Sequence, residues 1–409
     1  MVGYLLSSRD VFGRKSLLWI RTEDCLILSQ SITCFKKTWS EIPSGSISVI
    51  NFDNYASIWH SVNFYSVREI NNCLWVKQFV DLKFTWIKNK ASKLLVVNRE
   101  LGSTDCDIVS EMVERLCNAV RFCCSDLDSN SSLAVLFSGG VDSLLIAVIT
   151  AFVIPENIII DLINVSFDEK DYNLAPDRPH AIEAYLYLLS QFGNSRFRLI
   201  LVNVDGNELV RCRQQHIAYS IAPSLSVLDD SVGCVLWFAA RGSGVLYGSN
   251  DSTQVKSNAK IVLVGSGADE IFGGYLSHRS AYEKYGRLGV IDELQREMYR
   301  IGERNLGRDD RVTSGIGKDA RAPFLDDRFV EWLNSLPLEA KADFTKGRGF
   351  GEKKLIRKAL ENFGSPQSLY NAPKRAMQFG ARIAKREKRK EKANDICDRI
   401  LESLNNGSI

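Results

Sequence analysis

Two short stretches concentrate residue types suited to phosphate chemistry: Ser138-Gly139-Gly140-Val141-Asp142-Ser143 and Gly265-Ser266-Gly267-Ala268-Asp269-Glu270. Glycines let a backbone approach an anion closely and aim its N–H groups inward, and a following helix N-terminus adds positive potential. An apolar run, a Ser-Gly-Gly turn and a second apolar run therefore read as a phosphate cradle, with a plain serine-capped glycine turn as the alternative. No Walker-type loop is present. The four histidines, His60, His180, His216 and His278, stand at no metal-ligand spacing from a cysteine or acid, which argues against a metal centre or a triad built on them. Ten cysteines are scattered without a C-x-x-C pair, so reduced thiols in a cytoplasmic protein are expected.

The elements that must position these loops alternate. LAVLF (133–137) reads as a buried strand and Ser143–Val153 as an apolar helix ended by Pro155. IIIDLINVSF (158–167) follows as a strand, Arg178–Phe192 as a helix and FRLILVNV (197–204) as a third strand. Asn207–Gln215 and Asp229–Ala240 read as helices, IVLVG (261–265) as a fourth strand, and the chain beyond Phe272 as helical to its end. A helix over Cys106–Cys123 leads in. This alternation predicts an α/β fold with a doubly wound parallel sheet. Residues 1–60 carry short alternating runs (LLWI, CLILS, ISVINF) typical of β structure, and 61–104 is treated as a connecting region before the larger domain, 105–409.

The first loop resembles the S-G-G-x-D-S loop of the N-type ATP pyrophosphatases, the adenine nucleotide alpha hydrolase-like fold. Together with G-x-G-A-D-E-I-F-G-G-Y at 265–275 it resembles the asparagine synthetase family. Three downstream segments resemble the same family: Asp319–Asp326 (DARAPFLD), Gly351–Arg357 (GEKKLIR) and Pro373–Gly380 (PKRAMQFG). The set SGGVDS, GADE, NLGRDDR and PKRAMQFG most resembles the family's divergent asparagine synthetase domain-containing branch. The resemblance implies an ATP-dependent amidoligase that adenylates a carboxylate, by analogy that of aspartate, releases pyrophosphate and then admits ammonia. It implies that Ser138, Gly139, Gly140 and Ser143 grip the β- and γ-phosphates, that Asp142 and Asp269 hold Mg²⁺, and that Lys374 stabilises charge on the separating phosphoryl groups. Val264, Gly265 and Ser266 would meet the nucleotide, while Glu270 fixes the loop. Leu136, Phe137, Val165, Ser166 and Phe167 would wall the adenine or else belong to the core; ligands of such sheets bind outside the strands' carboxyl ends, which favours the wall. Pro176-Asp177, at a helix start, is divided between a nucleotide contact and a helix-dipole effect.

The amino-terminal turn Ser8–Leu17 resembles one late in the family's glutaminase domain, so 1–60 is expected to be a truncated, Ntn-type glutaminase-like remnant. That domain works through an N-terminal cysteine, and position 2 here is Val2, so glutamine hydrolysis by that route is not expected. The acid that the family places in its second glycine turn is Ser266 here, a poor base. That leaves a nucleotide-binding pseudoenzyme or interaction module as the competing expectation.

The remaining signals are bland. A net charge of +3 and 25% charged residues argue for no nucleic-acid partner. Leu144–Val165 is interrupted by Pro155, Glu156, Asn157 and Asp161, so no membrane span is expected. Asp229-Asp230 read as helix-start acids, with a substrate-pocket wall as the sharper alternative. The mixed run Lys385–Lys392 reads as a solvated helix. Self-association into a homo-oligomer is compatible with the sequence and not specified by it.

Overall fold

The structure, a computed structural model, describes residues 4–21, 26–32, 39–51, 63–66, 97, 108–128, 132–224, 226–249 and 253–386. Most of the 61–104 connecting region, His60 and the Lys385–Lys392 run beyond 386 lie outside the described residues.

A seven-stranded sheet organises the larger part of the chain. In chain order its strands are β7 (Leu133–Leu136), β8 (Ile160–Ser166), β9 (Phe197–Asn203), β10 (Ser243–Leu246), β11 (Gln254–Lys256), β12 (Ile261–Leu263) and β13 (Asp319–Arg321); β1 to β6 are described below. Their spatial order is β11-β10-β9-β8-β7-β12-β13. The five strands from β9 to β13 in that order are parallel, whereas β10 and β11 run antiparallel at one edge. The expectation of a wholly parallel sheet is thus corrected at that edge, and β13 interrupts the segment read as helical beyond Phe272. These three strands have three or four residues each and are only partly apolar, too short to give a periodic signal.

The inner strands β7, β8, β9 and β12 are predominantly apolar because both faces of the sheet are covered. On one face Leu133, Val135, Ile160, Leu162, Phe197, Leu199, Ile261 and Leu263 pack under α1 (Ile108–Cys123), α2 (Val141–Val153), α3 (Asp177–Phe192) and later helices. On the other face Ala134, Ile163, Val165, Ile200, Val202 and Val262 meet α4 (Gly206–Cys212) and α5 (Val227–Arg241). The period-two division of alternate residues between two helical layers is the doubly wound arrangement that the alternation of elements predicts.

The chain runs outward from β7 through β8 and β9, then returns to the other side of β7 as β12. Loops leaving the carboxyl ends of β7 and β12 therefore diverge and open a crevice at this switch point. Below the crevice, a buried polar knot fixes the strand ends. The Arg178 guanidinium donates to Asn164 Oδ1 (2.7 Å), Asn203 Oδ1 (3.0 Å) and the Val202 carbonyl (3.3 Å), while Asn164 Nδ2 donates to the Phe137 carbonyl (2.9 Å).

Beyond the sheet lie α6 (Ala268–Phe272), α7 (Leu276–Ile301, broken at Gly286), α8 (Gly307–Ser314), α9 (Asp327–Ser335) and α10 (Lys354–Asn362). The amino-terminal residues form two small antiparallel sheets. One contains β1 (Tyr4–Ser8), β5 (Ser46–Asn51) and β6 (Asn63–Ser66); the other β2 (Leu18–Arg21), β3 (Leu26–Ser29) and β4 (Ser40–Glu41). They are anchored to α8 by charge. The fully buried Arg311 donates to Glu41 Oε1 (2.7 Å), Ser16 Oγ (3.0 Å) and the Ile221 carbonyl (3.1 Å), and Lys15 pairs with Asp310 (2.9 Å). Among the described residues, no helix is long and apolar enough to cross a membrane.

Candidate active site

The loop after β7 passes directly into α2. Gly139 has a φ of +75°, and a Cβ there would fall 2.4 Å from the His180 carbonyl carbon, so only glycine fits beneath α3. Ser138 Oγ accepts from the Gly140 amide (3.2 Å), and Ser143 Oγ donates to the Gly140 carbonyl (3.1 Å). The residue before α2 is Gly140, which supplies no capping side chain. The first amides of this helix are consequently not capped from that position and face the crevice end, as anion binding requires.

The loop after β12 approaches the first from the other side. A Cβ at Gly265 would lie 3.1 Å from Asp142 Cβ, which measures how closely the two turns meet. Gly267, with φ +95°, turns the chain into α6, whose first turn carries Asp269 and Glu270. Asp142 and Asp269, from opposite sides of the switch point, then converge on one cation. That cation is the Lys353 ammonium, 2.5 Å from Asp142 Oδ2 and 2.7 Å from Asp269 Oδ1. Lys374 pairs with the second oxygen of Asp269 and lies over the Tyr275 ring, 5.2 Å from its centroid.

Burial opposes the charge on Asp269, but Lys353 and then Lys374 outweigh it and hold its carboxyl below the ordinary range. Lys353 is fully buried too, and the two carboxylates raise its pKa despite that. Among the described residues Glu270 forms no ion pair, and Lys374 offsets its charge only weakly. Burial, followed by the charge of Asp269, pushes it up to about 7. It accepts from Tyr275 Oη (2.7 Å) and Asn305 Nδ2 (3.1 Å), contacts that fix the loop as its sequence position suggested.

Lys374 is brought in by the segment 373–383, which crosses the carboxyl end of β8. The Phe167 amide donates to the Ala381 carbonyl (3.0 Å), and Arg382 pairs with Asp168 (3.2 Å). Gly380 passes so close to Asp177 that a Cβ would overlap its carboxylate. Burial raises Asp177 to about 7, countered by Arg375 and Lys374.

The residues singled out from sequence thus divide. Asp142, Asp269, Lys374, Gly139, Gly140, Ser138, Ser143, Gly265 and Ser266 gather around the switch point. Leu136 and Val264 are half-buried at its strand ends. Phe137, Ser166 and Phe167 have fully buried side chains, with Phe167 against Phe238 (5.7 Å between centroids), and Val165 joins the same layer. At these four positions, the core alternative describes the side chains. Asp229 and Asp230 pair with Arg308 (2.7 Å) and Arg213 (2.8 Å), so these acids serve structure rather than a pocket wall. A mixed-charge cleft of about 890 Å³ lies at the opposite, amino ends of the strands, remote from this cluster.

Sequence reasoning passed over Lys353. It stood inside a motif assigned to a helix, and nothing local marked it, because its two partners lie on distant loops.

The two aspartates are of the donor type that a divalent cation shared with phosphates would use. They are hard oxygen donors aimed at one point, and Asp142 Oδ1 is buried without a hydrogen-bond partner among the described residues.

The asparagine synthase family model matches residues 251–290 and 286–406. The Homo sapiens asparagine synthetase domain-containing protein 1 is 41% identical over 322 residues, covering 69% of this chain and 50% of that protein. The Drosophila melanogaster asparagine synthetase domain-containing protein CG17486 is 30% identical over 437 residues, covering 94% of this chain and 75% of its own length. A Gallus gallus glutamine-hydrolyzing asparagine synthetase is 24% identical over 270 residues, covering 66% of this chain and 43% of that enzyme. The chain spans about half the length of the vertebrate domain-containing relatives it matches. With a family model over its carboxyl-terminal part and relatives of this identity and coverage, the chain belongs to the asparagine synthetase domain-containing protein family.

Proposed function

We propose that this chain is an ATP-dependent amidoligase that activates a carboxylate, aspartate being the first candidate, and releases pyrophosphate before amination. The observation that carries this reading is the convergence of Asp142 and Asp269 on one cation, beside Lys374 and an uncapped helix start. The fold is read as that of the N-type ATP pyrophosphatases, and the amino-terminal sheets as a glutaminase-like remnant; the turn sequences support both.

In this reading, ATP lies across the switch point with its β- and γ-phosphates against Ser138–Ser143. The substrate carboxylate attacks the α-phosphorus, forming an acyl–O–P bond as the bond to pyrophosphate breaks. Mg²⁺ held by Asp142 and Asp269 would neutralise the departing charge. Lys374 would stabilise the same charge from the other side of Asp269, and the α2 amides would hold the leaving group. Ammonia then displaces AMP. Ser266 offers no base to the attacking amine, which makes this second step the weaker one.

Pyrophosphate release from MgATP, with and without aspartate and ammonium, tests the reading against Asp142→Ala. Aspartate-dependent release that is lost in the variant, with asparagine formed when ammonium is added, is the expected result. Release without asparagine would leave adenylation intact and place the defect at Ser266. MgATP binding with no release under any of these conditions would overturn the enzyme reading and favour a nucleotide-binding module.

A further inference from the structure

Lys353 occupies a position the fold goes out of its way to maintain. Its backbone lies in the left-handed region (φ 56°, ψ 37°), which among the described non-glycine residues only Arg382 shares. A lysine gains nothing there intrinsically, and such strain persists only where the surroundings over-determine it. They do so here on every side. The Lys353 amide donates to the Phe272 carbonyl (3.1 Å), at the end of the helix that carries Asp269. The preceding residue, Glu352, accepts from Arg279 Nε (3.0 Å) and the Gly349 amide (2.9 Å). Arg357 Nε ties back to the Glu352 carbonyl (2.7 Å), and its Nη1 reaches the Tyr370 carbonyl (2.6 Å). Gly274 leaves room for the stem: a Cβ there would fall 2.4 Å from Lys353 Cε. All of this delivers one ammonium, 1% exposed, to the point between two carboxylates.

We propose that Lys353 is the positioning residue of the carboxylate pair: its ammonium is a built-in cation that holds Asp142 and Asp269 together and that a divalent metal must displace. The proposal rests on the carboxylate-activation reading for the identity of the incoming metal. Without Lys353, Asp142 would lose its cation and face Asp269 with Lys374 alone to offset two carboxylates, a costly arrangement in a largely buried site. With Lys353 between them, and Lys374 on the far side of Asp269, they are kept in register but already neutralised. Metal alone therefore competes poorly, and it enters effectively only with the negative charge of the nucleotide, toward which the lysine can turn. The device makes metal binding conditional on substrate.

The test uses Mn²⁺ alone, followed by loss of its free-ion paramagnetic resonance signal, on the full chain and Lys353→Met. The variant is expected to bind Mn²⁺ at least tenfold more tightly than the parent in the absence of nucleotide. It is also expected to melt lower than the parent without metal and to regain part of that loss when Mg²⁺ is added. Lys353→Arg, which keeps a cation, is expected to retain the weak binding of the parent. A folded Lys353→Met that binds Mn²⁺ no more tightly than the parent overturns the proposal. Should that variant fail to fold, Asp142→Asn combined with Lys353→Met removes the facing charges and is expected to fold; failure of the double variant overturns the proposal as well. Loss of MgATP binding by the parent would instead defeat the carboxylate-activation reading, leaving the Mn²⁺ comparison to decide the role of Lys353.

Discussion

Gly274 offers a sharp test of how tightly the site is built. Its φ is not in the left-handed region, so alanine meets no backbone penalty there. The objection is space alone. A Cβ at Gly274 would lie 2.0 Å from Asp269 Oδ1 and 2.4 Å from Lys353 Cε. An ordinary non-bonded contact is roughly 3.5 Å, so the carboxylate or the lysine must move by more than about 1 Å. The Gly274 amide donates to the Asp269 carbonyl (2.8 Å), which limits escape by the backbone. Overpacking of this kind costs about 1–3 kcal/mol of stability. A displacement of about 1 Å at reacting groups costs about 100-fold in rate, or ~2.7 kcal/mol of transition-state stabilisation. Gly274→Ala should therefore remain folded, melt several degrees lower, and release pyrophosphate about 100-fold more slowly. Circular dichroism melts and a coupled pyrophosphate assay on the same preparation measure both. Unaltered pyrophosphate release in a folded Gly274→Ala protein would refute the placement of Asp269 and Lys353 at the reacting centre.

Three further outcomes follow from particular side chains. Lys374→Met should lower kcat for pyrophosphate release by about 10²–10³-fold, the usual effect of removing one charge-stabilising donor, while titration calorimetry still detects MgATP binding. Asp177 sits at about 7 in the fold against an ordinary 3.8, so its contribution to stability is lost as pH rises from 4 to 7. Asp177→Asn should melt above the parent at pH 8, by roughly 2–4 kcal/mol at most, with the gap closing toward pH 4. Lys341 is enclosed, its ammonium has no hydrogen-bond partner among the described residues, and burial lowers it to about 7 despite Glu339, with Arg287 adding to the fall. The fold bears the full cost of that charge below pH 7 and sheds it as pH rises toward 10.5. Denaturant melts of Lys341→Met should accordingly show a gain of a few kcal/mol, roughly, that is largest at or below pH 7 and shrinks above it.

The inner sheet was legible because its strands are covered on both faces. LAVLF, IIIDLINVSF and FRLILVNV could be nothing but buried segments, and Pro155 and Gly193 punctuate them. The short strands Ser243–Leu246, Gln254–Lys256 and Asp319–Arg321 were not legible, because their pairing depends on the strand beside them rather than on their own pattern. The glycine turns announced the site, since Gly139 and Gly267 carry backbone conformations that few other residues accept. Phe137 and Phe167 misled for the opposite reason. They stand at strand ends, where ligands bind, yet alternation along the strand turns both rings into the core. Lys353 was invisible because the charge that gives it meaning comes from Asp142, 211 residues away in sequence, and from Asp269.

The central claim, that a carboxylate attacks the α-phosphorus of ATP at this site, is tested most directly by following oxygen. Aspartate labelled with ¹⁸O in its side-chain carboxylate is incubated with MgATP, ammonium and the protein, and the AMP is weighed by mass spectrometry. Attack by the carboxylate followed by amination transfers one labelled oxygen to AMP, and Asp142→Ala should abolish the transfer. Aspartate-dependent AMP carrying no label, its new oxygen drawn from water, would contradict the account.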